Sequence, residues 1–144
     1  MKLTTNFKYE EMVSTDHTDL KDINMAEAGP YMVSLMDLCS FVLEPIRAQF
    51  GPFKITSGFR GPELNARVGG VPTSQHCIGQ AADLCRSDWT WDALDHVANW
   101  IKKESGIKFG QVIRERHGAS VWLHVSTGQK CEALDYDGKY TPRI

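Results

Sequence analysis

"FGQVIRERHGASVWLHVSTG", residues 109–128, contains two runs in which apolar and polar residues alternate. Side chains alternate between the two faces of a strand, so each run suits a half-buried β-strand. The runs meet near His117-Gly118, which reads as the turn of a β-hairpin. On the second strand Trp122, His124 and Ser126 share one face. On the first, Gln111, Ile113 and Glu115 share one.

Working outward, "TWDALDHVANWIKKESG" is an amphipathic helix. Trp91, Leu94, Val97, Ala98 and Ile101 form its apolar face, and Gly106 serves as its C-cap. "AADLC" is short and apolar enough for a buried strand, with Asp83 and Cys85 on one face. "FKITSGF" alternates like a strand broken by glycine, and "GPELNARVGGVPTSQH" reads as a long loop with a helical turn at Glu63–Arg67. "PYMVSLMDLCSFVLEPIRAQF" is the strongest helix. Its apolar positions Met32, Leu35, Met36, Cys39, Val42, Leu43 and Ile46 follow the 3.6-residue period, and Pro45 is expected to kink or restart it. Asn6 is a candidate N-cap for a first short helix in "NFKYEEMV". After the main hairpin, "CEALDYDGKYT" offers a smaller one around Asp137-Gly138. The expected fold class is α+β: a small antiparallel sheet flanked by N-terminal helices and one inserted helix.

The 144 residues suit one domain, 1–144. A formal net charge of −2 provides no basic field for nucleic acid or anionic lipid, so neither is an expected partner. No apolar run is long enough to span a bilayer, and "MKLTTNFKYEEMV" lacks the apolar core of a signal peptide. Synthesis in the cytoplasm is therefore expected, with a monomer as the default state. Cys39, Cys77, Cys85 and Cys131 form no CxxC pair and read as reduced thiols.

"SQHCIGQAADL", residues 74–84, places His76 seven residues before Asp83. If the strands bearing Asp83 and His124 are neighbours, both side chains point into one cleft, and His76 at the loop mouth completes a set of three. Two imidazoles and a carboxylate suit zinc, and three protein ligands leave a position open for water. A buried hydrogen-bonded cluster without metal would use the same residue types. Cys85 is a conceivable fourth ligand that would close the site, or an inert buried thiol. His17, His96 and His117 have no motif context.

"ITSGFRGPELNARVGGVPTSQHCIGQAADL" followed by "WLHVS" resembles the zinc D-Ala-D-Ala carboxypeptidase and peptidoglycan endopeptidase family, of Hedgehog/DD-peptidase-like fold. The resemblance is to its small phage-type branch. That branch's pattern is S-G-[FY]-R, an Asn, Val-Gly-Gly, S-x-H-x-x-G-x-A-x-D and a late H-[VI]-S. The corresponding residues here are Ser57-Gly58-Phe59-Arg60, Asn65, Val68-Gly69-Gly70, Ser74 through Asp83, and His124-Val125-Ser126. The resemblance implies that His76, Asp83 and His124 bind Zn2+. It implies that Arg60 acts at the substrate carboxylate or scissile carbonyl, with Ser74 and Gln75 orienting ligands and loop in the substrate-binding region. Better-known members carry an acid three residues before the last histidine, but that position here is Val121. Glu115, in the preceding strand, is the best replacement as general base, and the phage-type branch also has a Glu there.

The expected function is that of a zinc metallopeptidase cutting an amide bond in the peptide stem or cross-link of peptidoglycan. A phage or prophage lysis enzyme fits, reaching the wall after holin-type release or with a virion. The alternative is a non-catalytic zinc-binding module of a phage particle, which the missing acid at position 121 keeps open.

Overall fold

The computed structural model describes residues 1–144. Its helices are α1 (Tyr9–Met12), α2 (Lys21–Glu27), α3 (Met32–Leu38), α4 (Glu44–Phe50), α5 (Pro62–Arg67) and α6 (Trp91–Lys103). Its strands are β1 (Lys54–Ser57), β2 (Ala81–Cys85), β3 (Gln111–His117), β4 (Ser120–Ser126), β5 (Glu132–Tyr136) and β6 (Tyr140–Pro142). The strands form one sheet in the order β1-β2-β4-β3-β5-β6. The fold is α+β, as the residue pattern implies. No helix is long and apolar enough to cross a membrane.

The α3–α4 segment is one helical rod with a π-helical turn at Cys39–Leu43. There the Glu44 amide bonds the Cys39 carbonyl, five residues back, and Pro45 follows directly. Proline has no N–H and its ring clashes with the preceding turn. The wider π turn accommodates it and lets the helix continue past the expected kink. Leu35, Leu38, Cys39, Val42, Leu43 and Ile46 are buried on one face, whereas Met36 is exposed. Asn6 is not a helix cap: its backbone N–H and side-chain amide both donate to Glu44, at 3.0 and 2.7 Å. The capping position belongs to Lys8, whose N–H donates to the Glu11 carboxylate at 2.8 Å. The α6 helix is capped by Thr90, whose hydroxyl accepts from the Ala93 N–H at 3.1 Å.

Both predicted hairpins form, β3–β4 and β5–β6. One pairing departs from the antiparallel expectation, because β5 lies parallel to β3. The chain leaving β4 passes beneath the start of β3 and returns on its far side. Hydrogen bonds hold the crossing: Cys131 N–H to the Phe109 carbonyl at 2.9 Å, and Glu132 N–H to the Gly110 carbonyl at 3.0 Å. The approach is so close that a Cβ on Gly110 would sit 2.4 Å from the Thr127 carbonyl oxygen. Glycine is required there by space.

The sheet has two unlike faces. Ala82, Leu84, Val112, Leu123 and Val125 point into a core of 25 buried residues that also takes in α6 and the α3–α4 rod. The alternate residues point the other way. Register between β1 and β2 shifts between Ile55 and Ser57. This irregularity leaves Ile55 in the core but turns Ser57 toward the face of Asp83.

Candidate metal centre and cleft

The strand register assembles the site. Asp83 on β2 lies directly opposite His124 on β4, and His124 lies opposite Ile113 on β3. His76 comes from a 3-10 turn, Gln75–Ile78, capped by the Ser74 hydroxyl, which accepts from the His76 N–H at 3.2 Å. His76 is buried, and its Nδ1 lies 2.7 Å from the Gly58 carbonyl oxygen. A carbonyl only accepts, so Nδ1 carries a proton, and Nε2 is the nitrogen turned toward Asp83. That Nε2 is 3.4 Å from Asp83 Oδ1, and His124 Nδ1 is 3.0 Å from the same oxygen. The three donor atoms all lie within 4.8 Å of one another.

Burial pushes the Asp83 carboxyl up, but hydrogen bonds and charge from His124 and His76 outweigh it and hold it well below the usual carboxylate range. A half-buried carboxylate kept ionised between two imidazoles is the state a metal ligand needs. The donor set of two nitrogens and one carboxylate oxygen fits a divalent transition metal. The Gly58 carbonyl fixes the His76 tautomer, the usual role of such an outer contact. Cys85, two residues beyond Asp83, is not among the converging donors, and all four cysteines are free. His17, His96 and His117 lie outside the site.

The donors sit in a cleft of about 470 Å³ lined also by Arg60, Ser74, Gln75, Glu115, Trp122 and Tyr140. All the residues predicted for the site are thus brought together. Arg60 follows β1. Its guanidinium reaches the hydroxyls of Ser57 and Ser74, both at 3.4 Å, and its backbone N–H donates to the His76 carbonyl at 3.0 Å. It belongs to none of the chain's ion pairs, and its Nε is buried without a partner. A structural salt bridge therefore does not account for it.

Glu115 shares the site face with Ile113, one pleat along from the His124 row, and pairs with Trp122 across β3–β4. It is half-buried. Burial and the negative charge of Asp83 push its carboxyl up, against smaller lowering effects of His124, the Trp122 indole and Arg60. Val121 packs against the core on the opposite side of the sheet. Glu115, not position 121, supplies the acid that lines the cleft.

Residue patterns alone did not reveal two supports of the site. One is the Gly58 carbonyl, placed where a Cβ on Gly58 would lie 2.1 Å from the Met12 carbonyl oxygen. The other is Asn24 of α2, which is buried. It donates to the carbonyls of Val13 and Phe59, at 2.9 and 3.1 Å, and accepts from the Gly61 N–H at 2.7 Å. These bonds clamp the loop on either side of Arg60. Leaving a buried polar group unpaired costs about 1–3 kcal/mol. Asn24→Ala is therefore expected to destabilise the fold by about 2–3 kcal/mol, measured by urea unfolding.

The fold and this site define a metallopeptidase. The sequence model of the family described as Peptidase M15 matches residues 5–126, and the chain belongs to that family. No curated protein matches the chain.

Proposed function

We propose that the protein is a zinc-dependent peptidase of bacterial peptidoglycan that hydrolyses an amide bond in the peptide stem or cross-link. The observation that carries this reading is the meeting, in one cleft, of three metal donors, an acid with a raised pKa and an unpaired guanidinium. Zinc suits the donor set; when bound, it supplies a Lewis acid that polarises the scissile carbonyl and acidifies water. His76, Asp83 and His124 would hold it. Glu115 accepts the proton of the attacking water and returns it to the leaving amine. A carboxyl whose pKa lies above its usual value is better suited to that second transfer than an ordinary glutamate. Arg60 is the only lysine or arginine lining the cleft, so a carboxylate next to the cut bond is its matching ligand. Ser57 and Ser74 keep the guanidinium aimed, and Gln75 lines the same wall. Action on a cell wall is consistent with a phage lysis enzyme released through a holin or carried by a virion.

The direct test is mass spectrometry of purified muropeptides incubated with the zinc-loaded protein. The expected result is loss of a terminal residue or division of the stem. Muropeptides left wholly unchanged would remove the proposal. The role of Arg60 is tested separately with Arg60→Lys. Lysine keeps the charge but not the bidentate fork. Turnover is expected to fall at least about tenfold, equivalent to about 1.4 kcal/mol of transition-state binding, with zinc content and melting temperature unchanged. A melting temperature that falls in step with activity would instead assign Arg60 to bracing the loop.

A further inference from the structure

We propose that Tyr140, supported by Tyr136, forms a distal subsite of the cleft that binds extended peptide about four residues from the cut bond. The inference rests on the peptidase reading for the position of that bond. Its own basis is register. Trp122 on β4, Glu115 on β3, Tyr136 on β5 and Tyr140 on β6 are paired in one row across the sheet. This row is one pleat along from that of Asp83, His124 and Ile113 and faces the same side. The cleft therefore runs across the strands. Arg60 enters from the β1 end, Asp83 and His124 stand on β2 and β4 with His76 above them on its 3-10 turn, and the tyrosines stand at the β6 end. Neighbouring strands are about 4.8 Å apart, so three steps from β4 to β6 cover about 14 Å. Extended peptide advances about 3.4 Å per residue and spans that distance in about four residues.

Tyr140 lines the cleft yet remains 59% exposed, a large aromatic surface with one side free. Its ring packs on Tyr136 with centroids 4.7 Å apart. The hairpin that presents it is fastened to α6. Arg143, just past β6, has a side chain only 6% exposed. It donates to Asp135 at 2.6 Å, Asp95 at 2.5 Å and Asn99 at 2.9 Å, which ties the hairpin to α6. The Lys102 ammonium also donates to the Arg143 carbonyl at 2.5 Å. A platform fixed in advance loses little freedom when ligand binds. Both tyrosines lie beyond residue 126, where the family match ends.

The test compares the stem pentapeptide with the capped dipeptide spanning the bond found in the muropeptide digest. For wild-type protein, kcat/KM for the pentapeptide is expected to exceed that for the dipeptide at least about tenfold, about 1.4 kcal/mol. Tyr140→Ala is expected to bring that ratio close to one at unchanged zinc content. Tyr140→Phe, which keeps the ring, is expected to preserve it. A wild-type ratio near one, or an undiminished ratio in Tyr140→Ala, would overturn the subsite while leaving the peptidase reading intact. If wild-type protein cuts neither peptide, the peptidase reading fails, and calorimetric titration with the pentapeptide then decides the subsite alone. Weaker binding by Tyr140→Ala than by wild type supports it, and equal binding refutes it.

Discussion

Glu115→Gln is expected to lower peptide hydrolysis by about 10²–10⁴-fold, the usual worth of general acid–base catalysis. Glutamine matches glutamate in size and keeps the β3–β4 pairing with Trp122. What it removes is the ability to take and return a proton. Zinc content should not change, because Glu115 is not among the three converging donors. Stability gives an independent check with a defined sign. Burial and the charge of Asp83 raise the Glu115 pKa in the fold, so folding favours its protonated form. That contribution is fully present below the ordinary glutamate range and is lost as pH rises through the raised value. In metal-free protein, Glu115→Gln should therefore remove this pH dependence and be at least as stable as wild type near neutrality. A variant with wild-type turnover would end the role assigned to Glu115.

Asp83→Asn is expected to lower bound zinc from about one ion per chain to near none and to abolish activity with it. Asp83 Oδ1 stands within 3.0 Å of His124 and 3.4 Å of His76, so it is the hub of the donor set. Asparagine is nearly the same size but carries no charge, and a hard, charged oxygen donor is replaced by a neutral amide. It also leaves the two imidazoles beside a neutral group that no longer attracts a cation. Chelation should reproduce part of this in wild-type protein by lowering its melting temperature, since an ion bound only to the folded state stabilises it by mass action. Asp83→Asn should show no such response to chelator. The check is elemental analysis paired with thermal melting, with and without chelator. Full zinc content in Asp83→Asn would remove this residue from the metal centre.

Much of the site was legible because strand periodicity is a strong signal. Alternation in β4 puts His124 with Trp122, and alternation in β3 puts Glu115 with Ile113; the register then places both on the Asp83 face. The helical period likewise located the α3–α4 rod and α6. What periodicity does not encode is which strands become neighbours when the link between them is irregular. The β4-to-β5 crossing is built from loop hydrogen bonds and a close approach at Gly110, so the parallel β3–β5 pairing had no local signature. Tyr140 joined the cleft only through that pairing. Asn6 shows a different limit. A residue suited by type to capping α1 is instead committed to Glu44, 38 positions away, a tertiary contact that local preference does not contain. Asn24 was hidden for the same reason, since its three partners are backbone groups of distant segments.

His76, Asp83 and His124 are proposed to hold one catalytic zinc together. An anomalous difference map collected at the zinc edge from crystals of the zinc-loaded protein tests it most directly. The expected result is a single strong peak in bonding contact with His76 Nε2, His124 Nδ1 and the Asp83 carboxylate, on the side of the sheet that bears Glu115. A map with no peak among these three residues, or with its strong peak elsewhere, such as at Cys85, would contradict it.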